Sequence, residues 1–174
     1  GGEPLLNRET VAHVVPKLRA LRWEGQKQPL EILCFTNGLI YDPKITELFL
    51  EQDVTVGISL DGMKVHNDAA RPLLNGGGSF DKIVASLKRY RDAGVRVGLS
   101  CTIGKHNKDD LEKIAAFFAD DLGINAFQLQ TPIDVPGHRN PLYVQMGEAA
   151  KPAWEAFKAM RARSGEEGLA MRRL

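Results

Sequence analysis

Short apolar runs alternate with amphipathic helical patterns along the whole chain. The runs lie at residues 31–36, 54–60, 95–103 and 126–129, and after each one apolar residues recur at helical spacing. One more helical pattern precedes the first run. Such an alternation predicts βαβ units and a parallel sheet, because parallel strands need a crossover between them. We therefore predict an α/β fold with four strands and five helices, either an incomplete α/β barrel or an open parallel sheet.

The second run is the stretch around which we expect the chain to be organised. Its apolar character predicts a parallel strand covered on both faces. The polar turn that follows carries a carboxylate, an imidazole and a guanidinium, on Asp61, His66 and Arg71. Because functional groups of parallel α/β folds lie beyond the carboxyl ends of the strands, we predict a site at this turn.

Four local signals concern the helices. Asp42 followed by Pro43 predicts a helix start, with Asp42 as the cap and Pro43 at the first helical position. Pro16 interrupts the first helical pattern and predicts a kink or a restart. Asn107 is expected to cap the helix after the third strand. The loop Gly76–Ser79 enters a helix start, where backbone N–H groups can hold phosphate, but its spacing matches neither the dinucleotide nor the P-loop fingerprint.

Composition and charge narrow the function classes. The 174 residues are 43% hydrophobic and 26% charged with a net charge of +1, which predicts a soluble globular protein. The charges form no basic stripe, which argues against nucleic-acid binding. Since no apolar run approaches the roughly 20 residues of a membrane span, we expect no membrane association and a cytoplasmic location.

The two cysteines, Cys34 and Cys101, lie far apart in sequence, each inside an apolar run. A metal site needs ligands that are clustered at short spacing. We therefore expect two core thiols and no metal ligands in this chain.

A succession of motifs carries a family resemblance: Gly1-Gly2-Glu3-Pro4, Ile58-Ser59-Leu60-Asp61-Gly62, His66-Asn67, Arg71 and Gly76-Gly77-Gly78-Ser79-Phe80. In this order and spacing they resemble the radical SAM enzymes. Within that family they resemble the peptide- and protein-modifying subgroup of anaerobic sulfatase-maturating enzymes and related SPASM-type maturases. The resemblance implies a TIM-barrel-like partial (β/α)6 barrel, of which this chain would supply strands three to six. Where family members usually have His-Asp, this chain has His66-Asn67, and we expect a structural role for both.

The resemblance also implies cofactors and partners. A reduced [4Fe–4S] cluster cleaves S-adenosylmethionine and produces a 5′-deoxyadenosyl radical for the oxidative modification of a peptide or protein. The thiolates of a CxxxCxxC loop would hold the cluster, and this chain lacks that loop. An electron donor such as flavodoxin or ferredoxin would reduce the cluster. We expect residues 1–145 to form the core, and residues 146–174 to form a final helix and the start of a linker to an absent C-terminal domain.

By the same resemblance, seven residues become candidates for binding S-adenosylmethionine: Gly1, Gly2, Glu3, Ser59, Arg71, Thr102 and Ile133. The diglycine backbone, in a turn shaped by Glu3, would receive the amino group of the methionyl part. The Ser59 hydroxyl and the Arg71 guanidinium would act as partners, since a guanidinium fits a carboxylate and a hydroxyl can both donate and accept. The backbone at Ile133 would flank the adenine, and Thr102 is a lesser candidate. No catalytic residue is assigned.

Two alternatives remain open at the level of sequence. One is a cluster-free (β/α) barrel enzyme acting on a phosphorylated small molecule, with the phosphate at the helix start near Ser79. The other is a catalytically silent scaffold that only binds S-adenosylmethionine. We expect this chain alone to be inactive and to show no iron–sulfur absorbance. The substrate, the bond modified and the oligomeric state are not defined by the sequence.

Overall fold

The computed structural model describes residues 2–132 and 140–164. The chain forms two compact units, residues 1–59 with 82–97 and residues 60–81 with 98–174. The elements in chain order are α1 Arg8–Ala20, β1 Ile32–Thr36, α2 Pro43–Glu51, β2 Val54–Ser59, α3 Lys64–Ala70, α4 Phe80–Asp92, β3 Val97–Thr102, α5 Leu111–Ala116, β4 Phe127–Gln130 and α6 Met146–Ser164. A 3-10 turn at Pro4–Leu6 precedes α1, and a π turn at Phe117–Asp121 extends α5.

In the first unit, β1 and β2 pair in parallel, with Ile32 opposite Val54 and Thr36 opposite Ile58. Helix α2 begins with Pro43 behind the Asp42 cap, whose carboxylate accepts the N–H groups of Lys44 and Ile45 at 2.9 and 3.1 Å. The cap satisfies donors that have no partner inside the helix, so this sequence starts a helix at the predicted place.

In the second unit, β3 and β4 also pair in parallel, with Leu99 opposite Phe127 and Thr102 opposite Gln130. Helix α6 packs against α5. The ring of Phe118 is fully buried and lies edge-on to Phe127, with 5.4 Å between the ring centroids. The parallel pairings in both units confirm the predicted α/β class.

The structure bears on four local predictions and corrects two of them, those for the polar turn and for Asn107. Helix α1 is one helix that contains Pro16, so of the two predicted outcomes the helix does not restart there. Residues within the predicted polar turn form a helix, α3. Helix α5 starts only at Leu111, so Asn107 does not cap it. No residue of strand β2 is exposed, and Gly57 is buried on the face that also carries the half-buried Thr55 and Ser59, in agreement with a strand covered on both faces.

In each unit one strand ends in a polar residue. Ser59 is the last residue of β2 in the first unit, and Thr102 is the last residue of β3 in the second. Both are half-buried. No helix in the described part of the chain is both long enough and apolar enough to cross a bilayer.

Candidate functional site

A buried ion pair between Asp61 and Arg71 forms the centre of the second unit's polar cluster. Arg71 Nε donates to Asp61 Oδ2 at 2.8 Å, and Arg71 Nη2 donates to Oδ1 at 3.0 Å. The Asp61 side chain is 3% exposed and the Arg71 side chain 29%. Two parallel bonds fix the plane of the guanidinium. The pair as a whole carries no net charge.

Neutral donors hold this carboxylate and its turn in place. The Thr102 N–H donates to Asp61 Oδ1 at 2.8 Å. Asn107 Nδ2 donates to the backbone carbonyls of Asp61 and Thr102 at 2.8 and 2.9 Å, and its own carbonyl accepts the Gly104 N–H at 2.8 Å. Because the Asn107 amide joins two chain segments, the Asp61 turn and the end of β3 are held together.

The local sequence explains how Arg71 returns to Asp61. Gly62 has φ +127°, a conformation that L side chains rarely adopt, and a Cβ there would lie 2.7 Å from Ile114 Cδ1. The glycine therefore allows a sharp turn into α3. That helix is short, and Arg71 is the residue that ends it. The guanidinium is thus carried back to the carboxylate.

Two buried imidazoles accompany the ion pair. His66 Nε2 lies 3.2 Å from Asp110 Oδ2. His106 Nε2 lies 3.9 Å from Asp61 Oδ2, and the His106 side chain is 5% exposed. Within the described residues neither ring nitrogen of His106 has a hydrogen-bond partner. Burial lowers the pKa of His106 below its usual 6.5; the charges of His66 and Arg71 lower it further, and Asp61 opposes them.

A cavity of about 180 Å³ opens at this cluster. Among its lining residues are Asp61, Arg71, Thr102, Gly104 and His106. The cavity is smaller than the several hundred Å³ of a pocket that encloses a whole drug-sized ligand. It therefore fits one polar end of a larger molecule, such as a carboxylate group.

The start of helix α4 holds a carboxylate of the protein itself. The Phe80 N–H donates to Asp68 Oδ1 at 2.8 Å, and Asn67 Nδ2 donates to Ser79 Oγ at 2.9 Å. A Cβ at Gly78 would lie 2.1 Å from Asp68 Oδ2. Burial raises the pKa of Asp68, but the Phe80 N–H and the Lys64 ammonium outweigh it, so the net pKa is lowered and the group is an anion. An anion already occupies the place where the phosphorylated-substrate alternative needs a phosphate, which argues against that alternative.

In the first unit, Glu3 fixes the turn at the start of the chain. Its Oε1 accepts the Leu5 N–H at 3.2 Å and the Thr36 hydroxyl at 2.7 Å, and its Oε2 accepts the Asn37 N–H at 2.7 Å. These donors are all neutral. The carboxylate therefore ties this turn to the end of β1.

The structure brings two of the seven predicted binding residues into contact. Arg71 Nη2 donates to Thr102 Oγ1 at 3.4 Å in the second unit. Gly2 and Ser59 belong, with Glu3, to the first unit. Gly2 is exposed, and a Cβ there would meet no atom within 4 Å. Gly1 and Ile133 lie outside the described residues.

Sequence reasoning placed Asp61 at the predicted site without its partners, did not include His106, and expected Asn107 to cap a helix. One signal was available for the last two, since a polar triplet of Lys, His and Asn directly follows Gly104, the residue after the third apolar run. The pairing of Asp61 with Thr102 spans 41 positions, and nothing local in the sequence indicates it.

The thiols are unsuited to act as reactive nucleophiles. Cys101 is fully buried, and its burial, with the nearby Asp61 charge, raises its pKa. Cys34 is half-buried, and burial together with Glu3 raises its pKa to about 11. No group of three or more His, Cys, Asp or Glu side chains among the described residues could hold a metal ion.

Comparison with known proteins identifies a family and several relatives. The family model described as "Radical SAM superfamily" matches residues 1–118. The Fe-coproporphyrin III synthase of Methanosarcina barkeri is 30% identical over 115 residues, which cover 66% of this chain and 26% of that protein. The pre-heme d1 synthase of Dinoroseobacter shibae is 30% identical over 131 residues, covering 74% of this chain and 29% of that protein. A cysteine-type anaerobic sulfatase-maturating enzyme of Clostridium novyi is 34% identical over 83 residues, covering 48% and 22%.

Solved structures show the same fold. The structure entitled "Native anSMEcpe with bound AdoMet" superposes with a TM-score of 0.76 at 17% identity, covering 94% of this chain and 46% of that one. Streptococcus suis SuiB bound to S-adenosylmethionine gives a TM-score of 0.70 at 13% identity, covering 94% and 36%. The chain thus spans less than half the length of these relatives. The likeness confirms the predicted barrel-like α/β fold.

Proposed function

This chain belongs to the radical SAM superfamily, and from that premise we propose that it is the S-adenosylmethionine-binding part of a radical enzyme. The observation that carries the proposal is the guanidinium of Arg71, held in one orientation by Asp61 at the edge of a cavity. A guanidinium fixed in this way matches the planar carboxylate of the methionyl group. The silent-scaffold alternative differs only in lacking the radical step.

Each unit supplies groups of the kind this cofactor needs. In the second unit we propose Arg71 and Thr102 as contacts. In the first unit we propose the backbone of Gly1 and Gly2, with Glu3 and the Ser59 hydroxyl. The described donors to Glu3 are all neutral, so this carboxylate can also accept from a cationic amino group nearby. Ile133 remains a proposed adenine contact on sequence resemblance alone.

The [4Fe–4S] cluster that the family implies does not fit the residues at hand. A cluster of this kind is held by several cysteine thiolates. This chain has two cysteines, one in each unit, and the described residues contain no metal-ligand group. We propose that the cluster ligands lie outside this chain and that a flavodoxin or ferredoxin supplies the electron. S-adenosylmethionine would supply the radical chemistry in the full-length protein.

We propose a peptide or protein as the substrate, in the manner of the sulfatase maturases. The support is the succession of motifs from the N-terminal diglycine to Phe80 and the relative named as a sulfatase-maturating enzyme, 34% identical over 83 residues. A second candidate is a porphyrin. It rests on two relatives whose names denote porphyrin-derived products, each 30% identical over longer stretches of 115 and 131 residues.

We also propose a core at residues 1–145 and, over residues 146–174, a final helix and the start of a linker, with the protein in the cytoplasm. Helix α6 starts at Met146, next to the proposed boundary. Limited proteolysis of the full-length protein tests the boundary, because a linker is cleaved before a packed core.

Binding of S-adenosylmethionine to the full-length protein tests the proposed function. We expect Arg71→Lys to weaken binding by about tenfold or more, because an ammonium cannot make the paired bonds of a guanidinium. Arg8→Lys is the matched control, since Arg8 is 56% exposed and pairs with Asp42 at the surface. Equal binding by both variants would contradict the assignment of Arg71.

A substrate assay separates the two candidate classes. The reconstituted full-length protein is incubated under anaerobic conditions with a cysteine- or serine-containing peptide, or with a porphyrin precursor of the products for which those two relatives are named, and the mass change of each is measured. Modification of the peptide alone supports the maturase proposal. Modification of the porphyrin alone would replace it.

A further inference from the structure

Arg71 alone does not give the cavity a positive charge with which to bind an anion. Its guanidinium is already neutralised by the Asp61 carboxylate through two bonds. A ligand carboxylate entering the cavity would therefore approach a neutral pair and lie close to a second carboxylate. Buried like charges repel strongly, so the site needs a further positive group if it is to bind an anion well.

His106 is placed to supply that group. Its side chain is 5% exposed and lines the same cavity, and Nε2 lies 3.9 Å from Asp61 Oδ2. Neither ring nitrogen has a partner within the described residues, although buried polar groups are nearly always hydrogen-bonded. Gly104 makes room for the ring, since a Cβ there would lie 2.7 Å from His106 Nδ1 and 2.7 Å from the Leu142 carbonyl oxygen.

We infer that His106 is a ligand-binding residue, which takes up a proton when a carboxylate group enters the cavity and then lies as a cation between that group and Asp61. This inference rests on the proposed function, because the carboxylate is that of S-adenosylmethionine. The proton comes from solvent, and no covalent bond changes.

The groups that act on His106 agree with this assignment. In the described part of its unit they are Asp61 on the turn before α3, His66 within α3 and Arg71 at the end of α3. Burial and the two basic groups keep the ring neutral near pH 7 in the empty cavity, because together they lower its pKa. A second carboxylate beside the ring would add to the effect of Asp61 and raise that pKa.

The test is the number of protons taken up on binding, measured by calorimetry of the full-length protein in buffers with different heats of ionisation. The ligands are S-adenosylmethionine and its decarboxylated analogue. At pH 7 we expect the wild type to take up about one proton more with S-adenosylmethionine than with the analogue, and the affinity to fall by up to about tenfold per pH unit where the bound ring loses its proton. The sulfonium and the amino group occur in both ligands, and the variants at His106 separate the proton of the ring from any difference in ionisation of the two amino groups.

Variants at two histidines assign the proton. In His106→Asn and His106→Gln the difference between the ligands should vanish and S-adenosylmethionine should bind several-fold more weakly, whereas exposed His13→Asn should behave as the wild type. Equal proton uptake with both ligands in the wild type would overturn the inference without the need for a folded variant. Tight binding of S-adenosylmethionine with no proton difference would leave the proposed function intact and remove only the role of His106. Failure of the wild type to bind S-adenosylmethionine would remove both.

Discussion

Two carboxylates, one in each unit, each hold a turn against the end of a strand, but their hydrogen-bond partners differ in charge. Glu3 ties the first turn of the chain to the end of β1 through three neutral donors. Asp61 ties its turn to the end of β3 through one backbone N–H and a guanidinium. Among the described residues, Glu3 therefore accepts only from neutral donors, whereas Asp61 is paired with a cation. A carboxylate that fixes a turn can thus remain able to bind a cationic ligand group, as we propose for Glu3, or orient a cation of the protein, as Asp61 does.

The largest expected effect follows from removing the charge of Asp61. In Asp61→Asn, the Arg71 guanidinium loses its negatively charged partner but stays in a largely buried site. We therefore expect the free energy of unfolding to fall by about 3 kcal/mol. Chemical denaturation of the full-length protein measures it. Asp109→Asn is the matched control, because Asp109 is 78% exposed and its ion pair with Lys108 contributes less than about 1 kcal/mol. Equal costs for the two variants would show that the Asp61 pair is not a buried one.

A pair of glycine substitutions tests the packing of the second unit against that of the first. We expect Gly104→Ala to lower the free energy of unfolding by about 1 to 3 kcal/mol, because its Cβ would lie 2.7 Å from the Leu142 backbone oxygen as well as from the His106 ring. Gly2→Ala should change it by less than about 0.5 kcal/mol, since a Cβ at Gly2 meets nothing within 4 Å. The same denaturation experiment measures both. An unchanged free energy of unfolding in Gly104→Ala would mean that the backbone of this turn can shift to accommodate a Cβ.

The equivalent change in the first unit should cost less than Asp61→Asn. In Glu3→Gln one acceptor oxygen becomes a donor, and one of the three bonds to neutral donors is lost, so we expect a loss of about 1 to 2 kcal/mol in unfolding free energy. No cation is left unpaired among the described partners. Equal losses in Glu3→Gln and Asp61→Asn would contradict the comparison, which expects the loss of a cation's partner to cost more than the loss of a bond to a neutral donor.

The smallest expected effect is a pH dependence of stability in the ligand-free protein. Because burial lowers the pKa of His106 in the folded chain, the unfolded chain binds a proton at this residue that the folded chain does not. The free energy of unfolding therefore does not change with the titration of His106 above about pH 6.5, and it decreases as the pH falls below that value. His106→Asn should flatten the fall between pH 7 and pH 5 in thermal unfolding, and exposed His13→Asn should not. Identical profiles for wild type and His106→Asn would contradict the low pKa.

Some features of the fold could be predicted from local sequence. The four strands lie within two residues of the predicted runs, because apolar runs bounded by turn residues have few other conformations that bury them. The Asp42 cap with Pro43 was predicted for the same kind of reason, since a cap and its helix are neighbours in sequence. The family resemblance, carried by motifs from Gly1 to Phe80, was confirmed by the match to residues 1–118.

The polar cluster could not be predicted in the same way. Arg71 was predicted as a binding group, but its pairing with Asp61 was not, and Asn107 was assigned to a helix end instead of the interior. His106 carries no sequence signal for its burial. These roles depend on residues that lie 5 to 46 positions apart and meet only when strands and turns have packed.

The sequence by itself therefore determined the α/β class, the positions of the strands and the family. Only the tertiary structure decided which carboxylate pairs with a cation, which one accepts from neutral donors, and which buried imidazole has no hydrogen-bond partner in the described part of the chain. The physical reason is one of range. Apolar periodicity and capping act between near neighbours, whereas the net charge and protonation of a buried site depend on every group that folding brings within a few ångströms of it.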